Sequence, residues 1–164
     1  MTFLTRSILL VAALGLSACT QGPFGGSGAG GIGAGAGGPT DPTSVAYFNQ
    51  TVGDRVLFSV DQFTLDDQAR ATLDAQADWL AANPEFTAVI EGHADEQGTR
   101  EYNVALGARR ANAVREFLIS QGVPATRIRT VSYGKERPIA VCSDESCYSQ
   151  NRRAVTVISI GTLG

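Results

Sequence analysis

Several common functional classes are excluded by what this sequence lacks. It contains no run of about 20 apolar residues, the length needed to span a bilayer, so no permanent transmembrane helix is expected. It has no cationic excess, since 13 Lys+Arg stand against 16 Asp+Glu for a formal net charge of −3. Phosphate binding draws on clustered positive charge, which argues against nucleic acid as a partner. Histidine occurs once, at His93, and no serine-centred glycine elbow is present. Without a nucleophile or activated water and a matched base, no enzymatic activity is expected. Cysteine occurs three times, at Cys19, Cys142 and Cys147. A zinc site wants about four nearby ligands, and only His93 is available to join the later pair, so no metal is expected. With 164 residues, 43% hydrophobic and 7% aromatic, there is material for one small globular domain.

The N-terminus differs from the rest. Residues 1–18 hold one basic residue, Arg6, then the apolar run Ile8-Leu9-Leu10-Val11-Ala12-Ala13-Leu14 and small residues before Cys19. This is the pattern of a secretory signal. The order Leu16-Ser17-Ala18-Cys19 resembles the bacterial lipobox, which implies cleavage before Cys19 and a covalent N-acyl diacylglycerol on it, with no other cofactor. Several acyl chains hold a protein stably on a membrane where one does so only marginally. Thr20, where an aspartate would signal retention, implies export to the outer membrane. The remaining chain keeps 12 Lys+Arg against 16 Asp+Glu, a net charge of −4.

Between Gly22 and Gly38 there are ten glycines in seventeen residues, with no apolar period. Such a stretch cannot bury enough surface to offset its backbone entropy. Residues 19–50 are therefore expected to form a flexible tether, with an r.m.s. reach of ~30 Å and an extended limit of ~100 Å.

Residues 51–164 carry regular patterning. Arg55 to Val60 reads as a strand, and Thr64 with Asp67 three residues on as a helix N-terminal box. Ala69, Leu73, Ala77 and Leu80 recur at helical spacing until Asn83-Pro84, where the residue before proline avoids the helical region. Phe86 to Gly92 reads as a strand. Glu101 to Gln121 reads as a second helix, with Val104, Ala108, Ala111, Val114 and Leu118 inward and Gly122 closing it. Ile128–Tyr133 and Ala154–Ile160 are two further strands, the last apolar and β-branched as for a buried strand. The order β-α-β-α-β, loop, β implies a two-layer α/β (α+β) sandwich, with two helices on one face of a mixed four-stranded sheet. Trp79 falls where core packing would place it.

The run Ile90-Glu91-Gly92-His93-Ala94-Asp95-Glu96-Gln97-Gly98-Thr99 is followed by Glu101-Tyr102-Asn103 and by Leu106-Gly107-Ala108-Arg109-Arg110-Ala111-Asn112-Ala113-Val114. Together with Val131-Ser132-Tyr133-Gly134-Lys135-Glu136, Pro138 and Asn151-Arg152-Arg153-Ala154-Val155, it resembles the OmpA-like peptidoglycan-binding domain family, over about residues 55 to 160. Within that family the runs are similar to the Pal branch, whose members carry a lipobox and a tether. The resemblance implies an outer-membrane lipoprotein that binds peptidoglycan and faces the periplasm. It further implies the Tol-Pal system, with TolB as a protein partner and TolA as a second. A wall-binding lipoprotein without Tol partners is the neighbouring possibility, and a lipid-anchored wall hydrolase the one from another class.

The chemistry of such a site can be argued from the residues. Asp95 in a loop and Arg110 on a helix offer opposite charges, and Asn103, Leu106 and Arg110 share one helical face. Diaminopimelate of the wall's stem peptide brings carboxylates for a planar guanidinium and an ammonium for a carboxylate. In the family, residues matching Asp95 and Arg110 do this work, with Asp61 and Thr99 on the rim and Asn103 and Leu106 on the helical wall. The bland alternative for Asp95 and Arg110 is a surface ion pair that contributes ~0–1 kcal/mol. Ser59 and Val60 replace an acidic residue and an aromatic common in relatives, and Gly107 stands where several have serine. Cys142 and Cys147, five apart in a polar loop of an oxidising compartment, are expected to form a disulfide that contributes roughly 2 kcal/mol. His93 is expected to be a strand-end residue hydrogen-bonded to neighbouring backbone.

Overall fold

The computed structural model describes residues 38–161. The signal segment, Cys19 and the tether as far as residue 37 lie outside them. The strands are β1 (Arg55–Leu57), β2 (Phe86–His93), β3 (Ile128–Gly134) and β4 (Arg153–Ile160), in one sheet of order β1-β4-β2-β3. β4 lies antiparallel between β1 and β2, and β2 pairs parallel with β3. A parallel neighbour needs a crossover, which α3 (Arg100–Ser120) supplies between β2 and β3.

Leu73, Ala77 and Leu80 of α2 (Asp67–Ala82) and Ala111, Val114 and Leu118 of α3 share one core with Phe86, Ala88, Ile90, Ala154 and Ile158 of the sheet. Helices cover only this face. Hence β4, expected to be buried throughout, exposes Val157 on the other face while Ala154, Thr156 and Ile158 point inward. Buried Thr156 donates its hydroxyl to Gln76 Oε1 at 2.7 Å, and the Gln76 amide donates to Gly53 O at 2.7 Å.

Four details differ from expectation: two boundaries, one side-chain orientation and one added helix. The cap of α2 is Asp66, whose carboxylate accepts Ala69 N–H at 2.7 Å, with Asp67 in the first turn rather than closing a box with Thr64. Strand β1 stops at Leu57 because arginine side chains take the carbonyls of Phe58 and Ser59. Val104 is 39% exposed, because its turn of α3 lies against Gly134 at the end of β3 instead of over the core. A fourth helix, α4 (Glu145–Asn151), rises from the polar Cys142–Cys147 loop, whose two cysteines are disulfide-bonded.

The segment expected to complete the tether packs on α2 from Pro42 onward. Ser44 caps the one-turn helix α1 (Val45–Tyr47), and a π-helical turn, Phe48–Gly53, follows. Phe48 is fully buried against Trp79, which also stacks obliquely on Phe86 with both centroid distances at 4.9 Å. The Trp79 indole N–H donates to Pro42 O at 2.7 Å. One buried aromatic thus overrides a composition otherwise typical of linkers. Among the described residues no helix is long and apolar enough to cross a membrane.

Candidate functional site

Three chain segments meet at the carboxyl end of β2: the turn after β1 (residues 58–62), the loop from Ala94 to Gly98, and α4 with its flanking residues. Arg110 rises from α3 beneath the first of these. Its Nε donates to Gln62 O at 2.8 Å, Nη1 to His93 O at 2.8 Å and Nη2 to Ser59 O at 3.1 Å. The residue is 0% exposed, and its guanidinium lies 5.2 Å over the Phe58 ring. Burial pushes Arg110 down to about 10, with Asp95 and then Asp61 opposing the shift, so it stays cationic at neutral pH.

Asp95 is 7% exposed. Its Oδ1 accepts Gln97 N–H at 3.2 Å and its Oδ2 accepts Arg152 Nη1 at 3.2 Å. The direct partner of Asp95 is therefore Arg152, and no surface ion pair joins Asp95 to Arg110: the two charges are buried with separate partners. Arg152 also donates from Nε to Phe58 O at 3.1 Å and binds both carboxylate oxygens of Glu145. Glu145 raises the Arg152 guanidinium above its ordinary value, with Asp95 adding to the effect.

The other expected residues surround this centre. Thr99 caps α3, its hydroxyl accepting Tyr102 N–H at 3.2 Å. Buried Asn103 donates its amide to Gln97 O at 2.8 Å, and Lys135 donates to Gly98 O at 2.7 Å, so the Asp95 loop is held through its carbonyls. Leu106 is buried one turn on. Asp61 is exposed at φ 55°, a left-handed conformation that aspartate tolerates, and accepts the Tyr102 hydroxyl at 3.2 Å. Sequence reasoning missed Arg152, Glu145 and Tyr102 as members. Two adjacent arginines opening an apolar strand were the available signal, because charges there must find acidic partners.

His93 is 1% exposed, and its ring nitrogens make no hydrogen bond among the described residues, contrary to expectation. The side chain packs on Tyr133 at 5.6 Å, and the residue serves Arg110 through its carbonyl. Burial, with Arg153 and Arg137 adding repulsion, pushes His93 down to about 4. The unfolded chain takes up this proton as pH falls through about 6.5, whereas the folded chain stays neutral until pH nears 4. Stability from this group is complete above pH 6.5 and drains away towards pH 4. Between pH 7 and pH 5 the loss should be about 2 kcal/mol. Urea denaturation of wild type and His93→Gln at both pH values checks this: the variant should lose less on acidification, and equal losses would refute it.

Comparison with known proteins agrees with this architecture. The model of the OmpA family matches residues 57–152. A peptidoglycan-associated lipoprotein of Rhizobium meliloti is 56% identical over 151 residues, covering 92% of this chain and 85% of that one. One of Brucella melitensis is 50% identical over 153 residues, covering 93% and 90%. The crystal structure of the peptidoglycan-associated lipoprotein from Burkholderia pseudomallei aligns with a TM-score of 0.66 at 40% identity, covering 74% of this chain and all of that one. The C-terminal domain of Helicobacter pylori MotB shares the fold, with a TM-score of 0.61 at 21% identity. With these matches spanning most of its length, the chain belongs to the OmpA family and, within it, to the peptidoglycan-associated lipoproteins.

Proposed function

We propose that this chain is an outer-membrane lipoprotein, anchored through acylated Cys19, whose domain faces the periplasm and holds the stem peptide of peptidoglycan without covalent chemistry. The observation that carries the reading is the burial of two guanidiniums, Arg110 and Arg152, around Asp95, the one carboxylate buried among the described residues, beside an exposed polar rim. That centre attracts a carboxylate, while Asp95 and Asp61 receive an ammonium, the two groups that diaminopimelate presents together. Three of the five guanidinium N–H groups of Arg110 go to carbonyls, which leaves two. The ligand carboxylate reaches them when the exposed Ser59–Gln62 turn shifts, adding a charged acceptor to the three neutral ones. Thr99, Asn103 and Leu106 shape the wall of the site.

In this reading the protein tethers the outer membrane to the wall and acts in the Tol-Pal system, with TolB as periplasmic partner and TolA as a second. Co-sedimentation of residues 20–164 with purified diaminopimelate-type wall tests the wall-binding role. Wild type should pellet, and Asp95→Asn, checked for folding by circular dichroism, should remain largely in the supernatant. Wild type that stays in solution, or a variant that pellets equally, would overturn it. Capture of TolB by the same protein separates the Tol-Pal role from wall binding alone.

A further inference from the structure

We infer that Glu145 and Arg152 are positioning residues of this wall-peptide site, and that the Cys142–Cys147 disulfide fixes Glu145 where it can act. The inference rests on the functional reading above and extends it to residues outside the expected site. Among the described residues Arg152 is the one side chain that hydrogen-bonds all three segments of the site: Asp95 Oδ2 at 3.2 Å, Phe58 O at 3.1 Å and the Glu145 carboxylate. Its backbone adds a fourth grip, since Arg152 O accepts Phe58 N–H at 2.9 Å. Phe58 in turn supports Arg110 from below. A displaced Arg152 would release Asp95 and the turn over Arg110 at the same time.

Glu145 is the loose end of this chain of contacts, with its side chain 64% exposed. An exposed carboxylate holds a fixed position only if its backbone is held, and here it is held on both sides. Asp144 caps α4, accepting Ser146 N–H at 2.9 Å, and Cys147 in the first turn is bonded to Cys142, closing a ring around Asp144 and Glu145. At the far end, fully buried Asn151 accepts the N–H groups of Ile139 and Ala140 at 2.9 and 3.2 Å. Such anchoring exceeds what a seven-residue helix would hold on its own.

The charges give Glu145 a role in selectivity as well as in placement. Arg110 and Arg152 balance Asp95 and Glu145, and Asp61 on the rim leaves one negative charge over, which favours an end group that keeps its ammonium. Glu145→Gln removes one negative charge, which shifts the balance towards a ligand that keeps its carboxylates and lacks the ammonium.

Calorimetric titration of residues 20–164 with two soluble stem tripeptides tests this, one ending in diaminopimelate and one with that residue's free amine acetylated. Wild type should prefer the free amine. Glu145→Gln should bind that peptide about threefold more weakly and narrow the preference, the size expected for one exposed charge. Cys142→Ser/Cys147→Ser should shift affinity the same way, and the two changes together should do no more than Glu145→Gln alone. An unchanged preference in Glu145→Gln, or a cysteine effect that persists in full without Glu145, would overturn the inference. If wild type binds neither peptide, the functional reading fails. Positioning is then decided without ligand by hydrogen exchange at the Arg152 Nε–H: faster exchange in both variants supports it, and unchanged exchange overturns it.

Discussion

Arg110→Ala should lower the free energy of unfolding by about 3–5 kcal/mol, the cost of breaking a buried charged network rather than of losing a surface contact. The carbonyls of Ser59 and Gln62 sit on exposed residues and can turn to water, but that of His93 sits on a buried one and loses its donor outright. The vacated volume lies directly against Phe58, and Asp95 loses the attraction of a nearby cation. Arg110→Lys keeps the charge but replaces a planar fork by a single ammonium, and should fall between the two. Urea denaturation at pH 7 measures the series, and a loss under about 1 kcal/mol for the alanine variant would show Arg110 to be dispensable for folding. The consequence is practical. Loss of wall binding in Arg110→Ala is uninformative unless folding is demonstrated, which makes Asp95→Asn the better probe of the site.

Gly92→Ala should be at least as damaging, above about 3 kcal/mol, at the upper end of overpacking penalties. A β-carbon on Gly92 would lie 1.8 Å from Gly107 O and 2.6 Å from Gly107 C. Both are main-chain atoms of α3, so no side-chain rotation relieves the overlap and the helix must lift from the sheet. Lifting it opens the core around Ala111 and Val114, directly above the strands. Gly107→Ala should cost less, about 2–3 kcal/mol, since its closest conflict is Ser132 Oγ at 2.4 Å, a terminal group that can rotate away from its bond to Val104 O, and its main-chain conflict, with Gly92 O at 2.8 Å, is milder than the 1.8 Å of Gly92→Ala. Thermal unfolding of the two variants checks the order, and Gly107→Ala melting below Gly92→Ala would contradict it. The close approach also gives a physical setting for Gly107: here the backbones of β2 and α3 nearly touch.

The fold was legible because the information was local. Helical spacing from Ala69 to Leu80, the Asn83-Pro84 stop, Gly122 with φ 96° after α3 and the strand-helix alternation all act within a few residues. What escaped was decided at long range. Arg152 and Phe58, 94 residues apart, end β1 early. Phe48 and Trp79 draw a linker-like segment onto α2, and no local signal marks Phe48 as an anchor. Helix α4 has a local start signal in its cap Asp144, but its seven residues hold through a disulfide and through Asn151, which reaches back to Ile139.

The candidate site divides along the same line. Motif context pointed to Asp95, Arg110, Asn103, Leu106, Thr99 and Asp61; Asp61 and Asp95 lie on two of the segments that converge at the end of β2, and the other four lie on α3 and its cap. The depth of each residue was not readable from helical spacing. Spacing places Asn103, Leu106 and Arg110 on one face of α3, but only the fold decides that this face is covered by a turn whose carbonyls Arg110 binds. The role of Arg152 was hidden for a related reason, since its partners Asp95 and Glu145 lie 57 and 7 residues away on different segments.

The most direct measurement is a two-dimensional amide and arginine-side-chain NMR titration of residues 20–164 with a soluble stem tripeptide ending in diaminopimelate. Binding at the proposed centre should shift the amides from Ala94 to Asn103, those of the Ser59–Gln62 turn, and the Nε–H signals of Arg110 and Arg152. Shifts confined to other surfaces, or none at millimolar peptide, would contradict the assignment of this centre as the wall-binding site.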